Sequence, residues 1–245
     1  MNIRSLGKTR GDVAIKSGTQ IGWVVRKNNP ALLKQLVAFR KTVKKGTLLG
    51  NILFKRYFGN SKWIQNPIAE SERSKFRRVI GIFDRYAKQY DFDALAGVAQ
   101  AYQESRLDHS RKSHRGAVGI MQLLPTTAAD PNVGIPNIDS LENNIHAGVK
   151  YLAFIRNRYF SDPAISPEDR LAFSWAAYNA GPARVRKMRL QAERLGLYPN
   201  AWFGNVELAA ARIVGNETVS YVRNIFKYYI AYKLIKKRSR QGLPG

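Results

Sequence analysis

Residues 94–105 read ALAGVAQAYQES, and as a helix this segment is apolar around most of its circumference. One face carries apolar side chains at spacings of three and four residues: Leu95, Val98, Ala99 and Tyr102. A helix that is hydrophobic nearly all round is usually buried in the core of a protein. The pattern therefore predicts a helix over about residues 92–107 that is buried in a core.

A second stripe on this helix consists of small residues and ends at a carboxylate: Ala94, Gly97, Ala101 and Glu104. Burying a carboxylate costs free energy unless the group is paired, protonated or functional. Burial also raises its pKa, which suits a general acid near neutral pH. A salt bridge between Glu104 and one of the many arginines is the alternative that this helix alone leaves open.

Helical periodicity dominates the chain after residue 70, where strand signals are almost absent. It predicts helices over about 76–90, 143–159, 168–180, 205–214 and 217–236. Before residue 70, residues 21–25 predict one strand, and residues 30–39 predict one short helix with Asn29 as its cap. One strand and one helix cannot form a core alone. The predicted fold class is mainly α, a helical domain preceded by a short α/β segment.

The composition restricts the partner. The chain has 245 residues, with 41 Lys and Arg against 17 Asp and Glu, which gives a formal charge of +24. Residues 81–190 hold 14 basic and 11 acidic side chains, so the excess lies mainly in the flanks. Nucleic acid, an anionic membrane and an acidic cell-wall polymer are all consistent with this charge.

The absence of cysteine excludes disulfides, thiolate zinc sites and cysteine nucleophiles. Neither a membrane-spanning stretch nor a signal peptide is evident in the sequence.

Three further segments carry polar or glycine-rich patterns. Residues 113–125, SHRGAVGIMQLLP, predict a glycine-rich loop in which the Gln122 amide needs partners, and they lack the Gly-Lys-Ser/Thr ending of a phosphate loop. Residues 174–181, SWAAYNAG, place Tyr178 and Asn179 at a helix end that Gly181-Pro182 closes. Residues 215–222, GNETVSYV, predict a helix start. Taken separately, these are a packed loop, a cap and a helix start.

Taken in order, these segments resemble the motifs of the lytic transglycosylase SLT domain, a lysozyme-like family that cleaves bacterial peptidoglycan. The matching motifs are Glu104-Ser105, 116–122 with Pro125-Thr126, 177–181, and Glu217-Thr218 with Tyr221-Val222. The helix between the second and third motifs also matches, and Ile120 stands where leucine is usual. The resemblance covers about residues 73–235.

The N-terminal region resembles a different module. Residues 11–66 look like the end of the solute-binding domain that precedes the SLT domain in membrane-associated lytic transglycosylases of the F type. We therefore expect residues 1–72 to be a shortened remnant of that module with a connector. Residues 73–245 are expected to be the catalytic domain with a basic C-terminal tail.

The resemblance implies a mechanism with one acid/base residue. Glu104 is expected to protonate the glycosidic oxygen between N-acetylmuramic acid and N-acetylglucosamine, and then to help the muramic C6 hydroxyl attack C1. The product is a 1,6-anhydro sugar. Ordinary glycosidases need two carboxylates, and Asp108, one turn after Glu104, is the nearby candidate. We expect Asp108 to be structural, since it follows the helix end.

The resemblance also implies the substrate-binding residues, which are Ser105, Gly119, Ile120, Met121, Gln122, Tyr178, Asn179, Glu217 and Tyr221. Backbone groups around Gly119 and Ile120 are expected to bind an N-acetyl amide. We expect neither a metal nor a cofactor, because His109, His114 and His146 lack a metal-binding spacing.

The expected partner is the peptidoglycan glycan strand, with peripheral association to an anionic membrane surface and no nucleic acid. The family implies a periplasmic location, at the outer membrane. The alternatives are a basic nucleic-acid-binding protein, a solute-binding protein and a catalytically inactive wall-binding protein. The basic residues form no recognisable recognition helix, and the presence of Glu104 argues against an inactive scaffold.

Overall fold

A computed structural model describes residues 25–26, 28–44, 46–47, 70–213 and 215–240. The chain divides into two compact units, residues 1–65 and 66–245. The predicted strand over residues 21–25 lies, apart from its last residue, outside the described residues, as does most of the connector before residue 70. The division at residues 72 and 73 and the solute-binding origin of the first region stay predictions.

The first unit contains the helix α1, Pro30–Val43. The Asn29 side chain accepts a hydrogen bond from the Leu32 backbone N–H at 3.2 Å, and Pro30 occupies the first turn. Both features stabilise a helix start, because the first N–H groups of a helix have no partner inside it. The predicted short helix is confirmed and extends four residues further.

The described part of the second unit is helical, with only isolated β-bridges, so the mainly α class is confirmed. Its helices are α2 Glu70–Gln89, α3 Ala94–Ser105, α4 Pro125–Ala129, α5 Leu141–Tyr159, α6 Pro167–Ala180, α7 Pro182–Arg194, α8 Glu207–Ile213 and α9 Asn216–Arg240. In the described residues no helix is long and apolar enough to cross a membrane.

Helix α3 is the central helix of this unit and packs against α2, α5 and α9. The Asp93 carboxylate caps it by accepting the backbone N–H groups of Leu95 and Ala96 at 2.8 and 3.2 Å. It ends at Arg106, whose left-handed backbone (φ 59°) turns the chain away. The predicted apolar face is buried, and the Tyr102 ring meets the Tyr228 ring edge-on at 4.8 Å. The predicted buried helix is thus confirmed.

Two segments after residue 180 differ from the prediction. Gly181 (φ 87°) ends α6, but a new helix, α7, begins at once with Pro182. Its inner face is a narrow stripe of three residues, Val185, Met188 and Ala192, which the surrounding arginines obscure in the sequence. The helix predicted from residue 205 begins as an α-helix only at residue 207. It follows a π-helical turn, Trp202–Val206, in which Gly204 (φ 72°) has a non-helical backbone.

Candidate active site

The last turn of α3 and the second turn of α9 bring a carboxylate and a phenol together. The Tyr221 hydroxyl donates a hydrogen bond to Glu104 Oε1 at 2.5 Å. Burial raises the pKa of Glu104 from its ordinary 4.5 to about 7, although the Tyr221 hydrogen bond and the charge of Arg111 both act to lower it. In the described residues Glu104 forms no ion pair, so the salt-bridge alternative is not what the structure contains.

Two tyrosines of the site stay protonated. Burial raises the pKa of Tyr221 and of Tyr178 well above 10, and the charge of Glu104 raises both further. Each phenol therefore acts as a hydrogen-bond donor, Tyr221 to Glu104 and Tyr178 to the Met121 carbonyl oxygen at 2.8 Å. Tyr178 thereby fastens α6 to the loop that precedes α4.

That loop, residues 116–123, has its backbone held from several sides. The Ser105 hydroxyl donates to the Ile120 carbonyl at 2.7 Å, and Ser105 is only 1% exposed. The Ile120 N–H donates to His109 Nδ1 at 3.3 Å, while His109 Nε2 contacts the Asp139 carbonyl oxygen at 2.7 Å. Since a carbonyl only accepts, Nε2 carries the proton of this imidazole. His109 therefore positions the loop, a role that its spacing in the sequence did not indicate.

Asn144, on the inner face of α5, is the other residue that holds this loop. Its Oδ1 accepts the Met121 N–H at 2.9 Å, and its Nδ2 donates to the carbonyls of Val118 and Ile138 at 3.1 Å each. A Cβ atom on Gly119 (φ 78°) would lie 2.3 Å from Asn144 Nδ2. The sequence signal was an amide within an apolar helix face, but two of its three backbone partners, Met121 and Val118, lie more than 20 residues away.

A second glycine, Gly148, lies on α5 and packs against the same loop. A Cβ atom on Gly148 would lie 2.6 Å from the Met121 side chain, which is closer than real atoms approach. Gly148 on α5 thus permits the close approach of the loop, because it has no side chain to meet Met121.

The remaining predicted site residues are Gln122, Asn179 and Glu217. Gln122 (φ 46°) donates from Nε2 to the carbonyls of Arg111 and Gly119, each at 2.9 Å, so its amide nitrogen has the partners that its position requires. Asn179 is exposed, and its Oδ1 accepts from the Thr218 hydroxyl at 2.8 Å, which joins the end of α6 to the start of α9. Glu217 is exposed in the first turn of α9.

Comparison with known proteins identifies the domain that carries this geometry. Residues 81–198 match the family model of the transglycosylase SLT domain. Residues 81–198 are therefore similar to an SLT domain. Its relatives include the membrane-bound lytic murein transglycosylase F of Desulfosudis oleivorans, 29% identical over 88% of this chain and 50% of the relative. The protein of the same name from Shewanella halifaxensis is 30% identical over 94% of this chain and 50% of the relative. The chain therefore spans about half the length of these curated relatives.

A solved structure agrees with this assignment. The crystal structure of the 70 kDa soluble lytic transglycosylase from Escherichia coli aligns with a TM-score of 0.50 and 25% identity. The alignment covers 85% of this chain and 34% of that protein. The helical SLT fold that the sequence predicted is the fold observed.

No second buried carboxylate accompanies Glu104 on α3 or the turn after it. In the SLT domain Asp108 is exposed, and its carboxylate accepts the N–H and the hydroxyl of Ser110 at 3.0 and 2.7 Å. These two hydrogen bonds lower the pKa of Asp108. Its geometry is that of a turn residue, as expected from its place after the helix end.

The part of the SLT domain that the structure describes contains no cluster of metal-binding side chains. No group of three or more His, Cys, Asp or Glu side chains there could hold a metal ion. His146 instead stacks on the Tyr86 ring at 4.0 Å, and its Nε2 contacts the Tyr90 hydroxyl at 2.6 Å.

A surface depression of about 400 Å³ lies at the opposite end of α3 from Glu104. Its lining includes Asp84, Asp93, Leu95 and Lys236. A helix of 12 residues is about 18 Å long, so this depression is well separated from Glu104. It is open to solvent, and we place no chemistry there.

Proposed function

We propose that this protein is a peptidoglycan lytic transglycosylase that uses Glu104 as its single acid/base residue. The bond cleaved is the β-1,4 glycosidic bond between N-acetylmuramic acid and N-acetylglucosamine. The observation that carries the proposal is the buried Glu104 carboxyl with a pKa of about 7, which accepts a hydrogen bond from Tyr221. The SLT match and the names of the relatives supply the substrate class.

In the first step, protonated Glu104 donates its proton to the glycosidic oxygen while the C1–O bond breaks. A pKa near 7 leaves a large protonated fraction at neutral pH, which a general acid requires. Glu104 is left as a carboxylate. The Tyr221 hydrogen bond and the positive charge of Arg111 both favour that ionised form, so they stabilise the site after proton transfer.

In the second step, the same carboxylate accepts the proton of the muramic C6 hydroxyl as that oxygen bonds to C1. Glu104 is protonated again and a 1,6-anhydro ring is closed. No water is consumed, because the C6 oxygen of the same sugar takes the place of the leaving group at C1, and the reaction is an intramolecular transglycosylation rather than a hydrolysis. One carboxylate suffices because the two proton transfers follow each other, which fits a site where Asp108 is bound to Ser110.

The predicted substrate-binding residues fall into two groups in this proposal. The first group, Ser105, Gly119, Ile120 and Met121, shapes the floor of the site. The backbone N–H and C=O groups of the last three already have partners inside the domain. A bond to an N-acetyl amide would have to share a carbonyl oxygen that already accepts one.

The second group offers polar atoms to a glycan strand. Its members are Gln122, Tyr178, Asn179, Glu217 and Tyr221. The hydrogen bonds of the Gln122 side chain use its amide nitrogen, which leaves the amide oxygen to accept a bond from the sugar, and Asn179 and Glu217 are exposed. We assign them the direct contacts with the sugar.

Digestion of purified sacculi, with mass spectrometry of the products, tests the function. We expect 1,6-anhydro muropeptides from the wild type and none from Glu104→Gln, because the amide cannot give up a proton. Glu193→Gln, an exposed glutamate on α7, is the matched control and retains activity. Reducing-end products only would make the enzyme a hydrolase, and no product from the wild type would contradict the proposal.

We further propose that the enzyme acts in the periplasm, with its SLT domain held at the outer membrane by an anionic surface. Residues 218–245 contain seven basic and no acidic side chains. On α9 two aliphatic side chains are exposed among these lysines, Ile230 by 40% and Leu234 by 56%. Exposed aliphatic groups among basic ones are typical of helices that bind anionic lipid surfaces.

Co-sedimentation with vesicles tests this association. We expect binding to vesicles that contain phosphatidylglycerol, weaker binding to phosphatidylcholine vesicles, and loss of binding at high salt. Leu234→Gln is expected to weaken binding several-fold, whereas Leu190→Gln, an exposed leucine of α7, serves as the control. Equal binding of the two variants would contradict the assigned surface.

A further inference from the structure

Arg111 lies in the segment between α3 and α4, and its backbone is fixed to the loop of the site. The Arg111 carbonyl oxygen accepts two hydrogen bonds at 2.9 Å, from the Gly119 N–H and from Gln122 Nε2. The next residue, Lys112, forms an antiparallel bridge with Val118. A residue of the segment after α3 is thereby fastened to the glycine-rich loop at two points.

The same loop is fastened to the residue beside the catalytic acid. The Ser105 hydroxyl donates to the Ile120 carbonyl at 2.7 Å, and Ser105 directly follows Glu104. The chain of bonds from Arg111 through Gly119 and Ile120 to Ser105 holds Arg111 at the edge of the site. The charge of Arg111 lowers the pKa of Glu104, which agrees with this placement.

The guanidinium of Arg111 is free to bind a ligand. It is exposed, and within the described residues it forms neither a hydrogen bond nor an ion pair. The acidic residue nearest to it along the chain is Asp108, whose carboxylate is bound to Ser110. Three more exposed basic residues share the segment: Arg106, Lys112 and Arg115. This edge of the site is therefore basic, and the backbone of Arg111 is bonded to both Gly119 and Gln122 there.

We propose that Arg111 binds a carboxylate attached to the muramic acid residue of the substrate. The proposal rests on the proposed function, because it needs a glycan strand at Glu104. The sugar rings are neutral, so the anionic groups of the strand lie on the lactyl side chain or on the stem peptide joined to it. An arginine fork binds a carboxylate through two parallel N–H···O bonds, which gives orientation as well as affinity. Arg111 thus selects strands by the charge of this substituent.

Two pairs of substrates distinguish the two sources of the carboxylate. The first pair is glycan strands with acidic stem peptides and the same strands with those carboxylates converted to methylamides. The second pair is strands freed of peptide, with the lactyl carboxylate free or converted to its methylamide. We compare kcat/KM for wild type and Arg111→Gln at pH 5. At this pH Glu104 is largely protonated, so a change in its pKa has little effect on the rate.

We expect the wild type to prefer the acidic member of one pair by about tenfold and Arg111→Gln to lose that preference, as for a hydrogen-bonded charge pair. The pair that responds identifies the source. Arg194→Gln, which removes an exposed arginine at the far end of α7, keeps the preference. The proposal is overturned if, in both pairs, the ratio of kcat/KM for the acidic strand to kcat/KM for the methylamide is the same for wild type and Arg111→Gln.

Binding to inactive protein separates this proposal from the proposed function. Affinities of the same four strands are measured for Glu104→Gln with and without Arg111→Gln. A preference for the acidic strands that disappears with Arg111 supports the recognition even where cleavage fails. Cleavage without any such preference supports the enzyme function alone and overturns the role of Arg111.

Discussion

Glu104 lowers the stability of the folded chain at neutral pH, and Glu104→Gln is expected to remove that cost. Burial raises the pKa of this carboxyl from 4.5 to about 7 on folding. Between these two values the folded state holds a proton that the unfolded state has released. Stability therefore falls as pH rises through this window and is constant above it.

The shift sets the size of the effect. One pKa unit corresponds to about 1.4 kcal/mol of differential free energy, so this shift gives a loss of about 3 kcal/mol between pH 4 and pH 8. A glutamine is neutral throughout, and its amide oxygen can still accept the Tyr221 hydroxyl. The difference in unfolding free energy, variant minus wild type, is thus expected to grow by about 3 kcal/mol over this range.

Urea denaturation followed by far-UV circular dichroism at several pH values measures this difference. Titration of other groups cancels in the comparison because the two proteins differ at one position. Glu193→Gln is the control, since this glutamate is exposed and its difference is expected to stay small at every pH. A difference for Glu104→Gln that does not change with pH, or that decreases as pH rises, would refute the reasoning.

Three further predictions concern the groups around Glu104. Tyr221→Phe removes a hydrogen bond that lowers the pKa of Glu104, so the alkaline limb of the pH–activity profile moves to higher pH while kcat falls. Gly119→Ala places a Cβ 2.3 Å from the Asn144 amide at a positive φ, and thermal unfolding should show a loss of roughly 2 kcal/mol or more. Asn144→Leu leaves the Met121 N–H without its partner, which costs about 1–3 kcal/mol in the same measurement.

The buried helix and the environment of Glu104 could be predicted from the sequence because their signals are local. The apolar periodicity of residues 94–105 identifies a buried helix, and a carboxylate at its end has few environments open to it. Asp93 and Arg106 then set the ends of the helix by short-range hydrogen bonds. Burial of Glu104 follows from this pattern, and burial is the main cause of its raised pKa.

The hydrogen bonds that hold the loop of residues 116–123 could not be predicted, because the side chains that form them are distant from the loop in the sequence. Asn144 reaches Met121 across 23 residues, and Tyr178 reaches the same residue across 57. His109 has no metal-site spacing, yet it accepts the Ile120 N–H. Periodicity within one segment carries no information about such contacts. Helix α7 was missed for another reason, since its buried stripe of three residues is too narrow among its arginines.

The hydrogen bonds of the loop separate two kinds of residue within motifs that look uniform in the sequence. The backbone groups of Gly119, Ile120 and Met121 form hydrogen bonds inside the domain, and these bonds fix the position of the loop. The partners are Arg111, His109, Asn144 and Tyr178. Changes at such positions are expected to lower stability and kcat together, because the loop shifts relative to Glu104. Glu217 is exposed, and a change there is expected to raise KM with little loss of stability. The test is to measure melting temperature, kcat and KM for one variant of each kind. Equal losses of stability in the two variants would contradict the distinction between residues that hold the loop and residues that contact the sugar.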